Sequence, residues 1–536
     1  MMSITRRRFM KGAAVSGALA ATSPVQAFSQ SNQPVALNTP TNPKNILIIT
    51  ADQLAKKAVA GYGNTFVKTP AIDSLIRRGH RFEEAYCAFP LCAPSRASFW
   101  TGKLPHQTGV YANSSPNIPQ SMPTLGQIFT QAGYECVHFG KQHDYGSLDG
   151  FKRAQQVEKE LASNSAFPVN YDSREDVYCL EESAKYLKQY DGKKPFMMAV
   201  EFNNPHNICG WVGAFEGEHG EVEGIGELPP LPDNFDTEAD LMTRSKSVQY
   251  SCCTHNRTRQ STQWNALNFR QYLKAYYHYT QLADECIEQV LETLRQRGLE
   301  DETLVVFFSD HGDSMGAHRL VTKMNWFYQE TTNVPLVFSG PGITARQTHN
   351  ELVSLCDLLP TLCDYVGIAP PAQLYGRSLL PLLRGEKVEN WRQEVVSQWH
   401  TNREMTIQPG RMMRTERYKY IVYQEDNDEE LYDLLTDPGE KKNLSKMSEF
   451  YPLLTQMRAQ FKSYLAEQVD PFLTQEAVID QRWRAHPVGY KHHKGDSSID
   501  LYLRNIRPLE KQQDYAAVEK AKREVIAKAR ASTCKV

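Results

Sequence analysis

Four runs of mainly apolar residues constrain the fold more than any other feature of the chain. They are Asn45–Thr50 (NILIIT), Phe196–Phe202 (FMMAVEF), Thr303–Ser309 (TLVVFFS) and Val334–Ser339 (VPLVFS). None alternates apolar and polar residues as a strand with one wet face would. Strands apolar at successive positions are covered on both faces, as in a parallel sheet between helical layers. Helical patterns lie between them, at residues 70–79, 122–132, 268–297 and 355–366. Strands alternating with helices predict an α/β sandwich built on a mixed, mostly parallel sheet. No internal repeat is visible, and 536 residues suffice for a large core plus a second unit.

The character of the chain changes after about residue 395. Arg417–Tyr423 alternates like an antiparallel strand, and Glu430–Leu434 reads as another, closed by the turn-prone Thr436–Glu440. A helix is expected near 447–467. The reading is a signal peptide at 1–27, a linker at 28–44, an α/β domain at 45–395, a small α+β subdomain at 396–470 and an extension at 471–536. The extension ends in a charged, helix-like run at 509–531.

The signal peptide reading rests on Thr5–Lys11 (TRRRFMK), a small weakly apolar run from Gly12 to Ala21, and the cleavage-type tripeptide Val25–Ala27. This is the form of a twin-arginine export signal, so the expected partner is the twin-arginine translocase and the expected location periplasmic or secreted. No later run is long and apolar enough to predict a membrane span. A formal net charge of -2, with no long basic stripe, gives no reason to expect nucleic-acid binding. Any anionic ligand has to be met by a local cluster of positive groups. Twin-arginine export carries folded proteins, and folding in a reducing compartment means that the 11 cysteines are not a disulfide framework by default. Cys252 and Cys253 are adjacent and poorly placed to bridge each other. Cys356 and Cys363 read as small buried hydrophobes, and Lys491–Lys494 (KHHK) as a solvated loop.

In open α/β sheets ligands bind beyond the carboxyl ends of strands. Two of the apolar runs end at Asp52-Gln53 and at Asp310-His311. Two carboxylates, an amide oxygen and an imidazole suit a hard divalent cation with one nitrogen ligand. Either pair alone is as readily a helix or turn cap. Both pairs, each directly after a buried strand, point to a metal. Between them lies Pro90–Gly102 (PLCAPSRASFWTG). Pro94 stands where a first helical residue would, which puts Cys92 at a helix start, where a thiol pKa falls and an anion is welcome. Arg96, one turn on, can reach the same point. The residues alone give an anion site with a reactive group and leave the reaction open.

The segment Pro90–Gly102 resembles the first signature of type I sulfatases of the alkaline phosphatase superfamily, Cys-x-Pro-Ser-Arg followed by an apolar pair, Thr and Gly. Gly133–His143 (GYECVHFGKQH) resembles the second, built around Gly-Lys-x-His, with Cys136 where Ser or Thr is usual and Gln142 where an aromatic is usual. The strand ends and the run at 417–444 match as well, so the resemblance covers about residues 44–467. It implies an alkaline-phosphatase-like fold and conversion of Cys92 to Cα-formylglycine by a formylglycine-generating maturation enzyme. The hydrated aldehyde would attack sulfur, and its second hydroxyl would then expel sulfate.

Roles follow from the resemblance, position by position. Asp52, Gln53, Asp310 and His311 would hold Ca²⁺ together with the modified Cys92. Arg96 would hold the formylglycine oxygen, and Lys141 and Lys323 the sulfate oxygens. His143 would orient or deprotonate the diol, and His206 would protonate the leaving oxygen. Asn113 would touch the sulfate, and His318 and Arg319 are candidate substrate contacts. The Asp-Gln and Asp-His pairs resemble choline-sulfatase-like and phosphonate-monoester-hydrolase-like members. The expected substrate is a sulfate monoester on a sulfated carbohydrate. The alternatives are a phosphonate monoester or phosphodiester hydrolase using the same site, and a catalytically silent sulfated-glycan-binding protein.

Overall fold

The computed structural model describes residues 44–113, 115–153, 174–213, 227–241, 243–245, 247–248, 261, 264–344, 346–400, 409–424 and 428–473. The signal peptide, residues 28–43 of the linker, Cys252, Cys253, the KHHK tract and the extension beyond 473 lie outside them. Among the described residues no helix is long and apolar enough to cross a membrane.

Strands are numbered in chain order: β1 (Asn45–Ala51), β2 (His80–Phe82), β3 (Ala85–Tyr86), β4 (Glu135–Gly140), β5 (Lys152–Arg153), β6 (Phe196–Phe202), β7 (Thr303–Phe308), β8 (Leu336–Ser339), β9 (Gln347–His349), β10 (Val353–Ser354), β11 (Glu394–Trp399), β12 (Gly410–Thr415), β13 (Tyr418–Tyr423) and β14 (Asp428–Asp433). An eight-stranded sheet has the order β5-β4-β6-β1-β7-β8-β2-β9. β1 pairs in parallel with both β6 and β7. The run at 334–339 departs from the parallel expectation, since β8 is antiparallel to both β7 and β2. The fold is thus an α/β sandwich on a mixed, mostly parallel sheet of the alkaline-phosphatase-like kind.

The apolar runs are continuous because each strand feeds two cores. Leu47, Ile49, Met198, Val200, Val305 and Phe307 pack on one face, with the helices Arg174–Gln189 and Ala266–Gln296. Ile46, Ile48, Met197, Ala199, Leu304 and Val306 pack on the other, with the helices Cys92–Thr101, Leu125–Gln131 and Leu358–Val366. Period-2 side-chain geometry with apolar residues at both phases is what a fully covered strand requires.

The second sheet is antiparallel, β11-β12-β13-β14. One face meets the helix Tyr451–Gln468 through Val396, Met413, Tyr420, Leu431, Met457 and Phe461. The other packs on the main body through Trp399, Met412, Ile421, Trp326 and Tyr328. β11 starts at Glu394, so this sheet begins slightly before residue 396. None of the eight described cysteines forms a disulfide and all are buried, Cys356 and Cys363 included.

Gly140 ends β4 with φ +95, and a Cβ there would stand 2.1 Å from the Glu201 carbonyl oxygen. Gly192 also has a positive φ, +75, but nothing lies within 4 Å of where its Cβ would be. Gly192→Ala is therefore expected to cost roughly 1–2 kcal/mol of conformational strain. Gly140→Ala is expected to cost well beyond that, because β4 and β6 have to separate. Urea denaturation of the two variants checks the contrast, and equal losses would contradict it.

Candidate active site

Four neighbouring parallel strands, β4, β6, β1 and β7, bring their carboxyl ends together, and each delivers site residues. Lys141 follows β4, His206 lies just beyond β6, Asp52 and Gln53 follow β1, and Asp310 and His311 follow β7. The ladder continues just past the strands: Asp52 N donates to Phe202 O at 3.0 Å and Lys141 N to Glu201 O at 3.0 Å. Gln53 then turns left-handed, with φ +68. A non-glycine residue holds that conformation only where its surroundings enforce it. Here its N–H donates to Asp310 Oδ1 at 3.0 Å and its carbonyl accepts from Tyr276 Oη at 2.5 Å.

The helix Cys92–Thr101 carries Cys92 at its start, and all ten of its residues are buried. It starts at Cys92 itself, with Leu91 as the extended N-cap, so Pro94 is its third residue rather than its first. Proline is tolerated there because a first-turn N–H has no intrahelical partner to lose. The expectation of an anion-ready helix start also needs correcting. Ala93 N donates to Asn113 Oδ1 at 3.1 Å, Pro94 has no N–H, and Ser95 N is bonded to Leu91 O at 3.1 Å. Asn113 thus caps the helix beside Cys92, and that is the role its side-chain oxygen has here. Ser95 Oγ donates to Asp310 O at 2.6 Å, fastening the helix to the end of β7.

Ligand-type atoms of Asp52, Cys92, Asp310 and His311 lie within 4.8 Å of one another, all buried. Cys92 Sγ is 3.2 Å from His311 Nε2 and 3.7 Å from Asp52 Oδ1. The donor set fits a hard divalent cation on two counts. His311 Nδ1 is 2.9 Å from the Gly312 carbonyl, which can only accept, so Nδ1 carries a proton and Nε2 is the nitrogen that faces the cluster and would ligate a cation. Asp310 Oδ2 is buried without a well-formed hydrogen bond, although Arg96 Nη2 stands 3.1 Å away. Burial and the neighbouring Asp52 push Asp310 up to about 6, the mark of two carboxylates crowded where a positive charge belongs.

Arg96 is 1% exposed and meets three carboxylates: Asp52 at 2.9 Å, Asp310 at 3.1 Å and Glu201 at 2.7 Å. Its ion pairs are thus with the carboxylates behind Cys92. Lys141 Nζ adds a 2.6 Å ion pair with Asp52 and is 4.0 Å from Cys92 Sγ. Burial opposes the charge on Lys141, but Asp52, Cys92 and Asp310 together outweigh it and raise the ammonium's pKa. Burial would likewise raise the Cys92 thiol; Lys141, Lys323 and His311 overcome it and bring the thiol well below its ordinary value. The pocket therefore stabilises negative charge at the side-chain terminus of residue 92.

Lys323 donates to Gln53 Oε1, placing it within this electrostatic set. His143 and His206 both lie close enough to Cys92 to be coupled to its charge. Burial, then Lys141 and Lys323, push the His206 ring down to about 3, so it is neutral at pH 7 with this charge set. The expected substrate contacts His318 and Arg319 are used elsewhere. His318 is fully buried, with Nδ1 2.6 Å from Arg244 Nη2 and 3.2 Å from Asp236 Oδ2. Arg319 donates to Trp264 O at 3.0 Å and stacks over Phe235 and Phe269. Both hold a folded loop in place.

Sequence reasoning passed over two carboxylate acceptors that build the site. Glu201 lies in the apolar run of β6, fully buried, and takes His138 Nε2 at 2.7 Å as well as Arg96. Asp313 receives Gln53 Nε2 at 2.6 Å and Tyr272 Oη at 2.5 Å. The signal for Glu201 was present: a lone carboxylate inside an apolar strand has to be paired.

The fold and site together define an alkaline-phosphatase-like hydrolase. The sulfatase family model matches residues 44–368, and the model for the C-terminal part of N-sulphoglucosamine sulphohydrolase matches residues 316–467. The chain is 44% identical over 467 residues to a Delta 4,5-hexuronate-2-O-sulfatase of Bacteroides thetaiotaomicron, covering 86% of this chain and 96% of that protein. It is 29% identical to a choline-sulfatase of Rhizobium meliloti, over 76% of this chain and 83% of that one. Among solved structures, a 2-O GAG sulfatase superposes with a TM-score of 0.76 at 43% identity, covering 86% of this chain and 100% of that one. A phosphonate monoester hydrolase of Agrobacterium radiobacter shares the fold, with a TM-score of 0.67 at 22% identity over 80% of this chain and 97% of that one. The chain belongs to the sulfatase family, and it is an enzyme that hydrolyses sulfate esters.

Glu201→Ala leaves Arg96 and His138 buried with one partner fewer, which is expected to cost about 3–5 kcal/mol. Burial raises the Glu201 pKa, but Arg96 and His138 outweigh it and hold the carboxyl below the ordinary glutamate value. Its contribution is therefore full above the ordinary glutamate value, fades below it, and is lost as the pH falls through the lowered native value. Chemical denaturation at pH 7 and pH 4 should show the wild-type advantage over Glu201→Ala shrinking at the lower pH. An advantage that grew on acidification would contradict this pairing.

Proposed function

We propose that this sulfatase removes the sulfate ester from a sulfated carbohydrate after export by the twin-arginine route, using Cα-formylglycine made from Cys92 and a calcium ion. The observation that carries the reading is the buried set of Cys92, Asp52, Asp310 and His311, flanked by Lys141. Its geometry suits a reactive residue next to a divalent cation. The 44% identity to a Delta 4,5-hexuronate-2-O-sulfatase supports a 2-O-sulfated hexuronate as the first substrate to test. The sequence TRRRFMK at residues 5–11 supports the export route and a periplasmic or secreted location.

In this reading Asp52, Gln53, Asp310, His311 and residue 92 hold the cation, which supplies Lewis acidity and offsets sulfate charge. The cysteine sulfur stands where an oxygen of the modified residue would be, and the hydrated aldehyde supplies a nucleophile with its own route to sulfate release. Lys141 and Lys323 bind sulfate oxygens and give fixed positive charge where negative charge develops. Arg96 keeps Asp52 and Asp310 ionised and aligned. Asn113 keeps the helix start, and so residue 92, in position. His143 takes a proton from residue 92. A sulfate seated against Lys141 and Lys323 offsets the two charges that, after burial, hold the His206 pKa down. His206 can then carry the proton that the leaving sugar oxygen needs.

Ion chromatography should detect free sulfate from a 2-O-sulfated, unsaturated hexuronate disaccharide. Phosphonate monoester turnover without sulfate release would overturn the assignment. Cys92→Ala is expected to lose at least about a thousandfold in turnover, and Lys141→Ala and Lys323→Ala roughly a hundredfold or more each in kcat. His206→Ala is expected to lose about 10²–10⁴-fold on a sugar sulfate. It should lose far less on 4-nitrophenyl sulfate, whose leaving group needs no proton. Equal losses on both substrates would remove His206 from the proton-donor role. A peptide mass for residue 92 from native cells should show formylglycine in place of the thiol.

A further inference from the structure

The amide of Gln53 is held in a way its position alone does not require. A carboxamide has two ends of nearly equal size, and only the oxygen can ligate a hard cation. At one end, Gln53 Nε2 donates to Asp313 Oδ2 at 2.6 Å. At the other, Oε1 accepts from Lys323 Nζ and lies 3.3 Å from Cys209 Sγ. An ionised carboxylate only accepts and an ammonium only donates, so the amide has one permitted orientation. Asp313 is itself fixed. It is fully buried, and Oδ1 accepts from Tyr272 Oη at 2.5 Å and from Met315 N at 2.8 Å. Tyr272 Oη in turn accepts from Thr322 N at 2.9 Å.

We propose that Asp313 is the positioning residue that makes Gln53 an oxygen ligand, and that the two act as one unit setting the affinity of the cluster for its divalent cation. This rests on the metal reading of Asp52, Gln53, Asp310 and His311. The unit has a charge logic as well. A carboxylate at position 53 would add a third negative group to Asp52 and Asp310, which already crowd each other. With glutamine there, the negative charge stands one residue further out, on Asp313, and reaches the site only through the amide dipole. A carboxylate at both positions would set two acceptors against each other at hydrogen-bond distance. An amide at position 313 with glutamine kept at 53 would leave Lys323 alone to hold the orientation of the Gln53 amide.

The test is a double-mutant cycle on the full chain, stripped with a chelator and titrated with calcium chloride by calorimetry. Asp313→Asn and Gln53→Glu are each expected to weaken calcium binding roughly 10–100-fold, the usual effect of losing a residue that orients a ligand. The Gln53→Glu/Asp313→Asn double variant exchanges carboxylate and amide at unchanged side-chain length, restores the donor–acceptor match, and should recover most of that loss. Thermal melts in excess chelator report folding separately. The kcat of Asp313→Asn should return toward wild type at saturating calcium, which a merely structural defect would not allow. Wild-type binding with losses that simply add in the double variant would overturn the pairing and leave the metal reading intact. Unchanged calcium affinity in folded Asp313→Asn would do the same. A wild-type protein with no calcium response by calorimetry or melting would overturn both.

Discussion

The site is organised by one guanidinium among three buried carboxylates. Arg96 sits on the helix Cys92–Thr101, and its partners Asp52, Glu201 and Asp310 belong to or directly follow β1, β6 and β7. One cation therefore gathers three strands that are far apart in sequence and fixes the helix that carries Cys92. A buried ion pair gains little over a well-packed apolar replacement, whereas removing one partner is costly. That asymmetry makes Arg96 hard to replace, and its rigid planar fork suits several carboxylates at once.

A comparable arrangement joins the antiparallel sheet to the main body. Lys419, fully buried on β13, pairs with Glu440 at 2.6 Å and donates to the Phe327 carbonyl at 2.9 Å. Glu330 pairs with Lys57 at 2.7 Å, and His318 lies among these acids. His318, Glu330 and Glu440 resemble a ligand set by proximity alone. Two lysines already supply the positive charge there, so the group reads as an ionic fastening between the layers. It holds the loop from Asp313 to Lys323, and through it Asp313 and Lys323 reach Gln53.

Much of this was legible in the sequence because it depends on local pattern. Strands covered on both faces leave unbroken apolar runs, so β1, β6 and β7 could be read directly. The motif around Cys92 and the acid-bearing strand ends gave the reactive residue and the candidate ligands. What escaped depends on contacts distant in sequence. β4 hides inside the second signature, whose glycine and lysine draw attention away from its strand character. β12 follows a stretch with no periodic signal. Asp313 looks like an ordinary loop residue until folding brings Gln53 against it. His318 and Arg319 stand close to Asp310 in sequence, yet the chain turns through left-handed conformations at both and folds them into other contacts.

The burial of Cys92 has a consequence for the order of events during synthesis. Its sulfur is 0% exposed, and the His311 that packs on it lies 219 residues further along the chain. A ribosome adding about 5–20 residues per second needs roughly 10–45 seconds to cover that distance. Until then β7 does not exist, β1 lacks one of its two neighbours, and the pocket has no far wall. Any enzyme that modifies Cys92 has this interval in which to find an extended segment. Afterwards it must compete with closure of a sheet built from long-range pairings, which is an intrinsically slow step. The topology that seals the reactive residue from solvent thus also keeps it accessible for a time, because the wall that closes on it is made late.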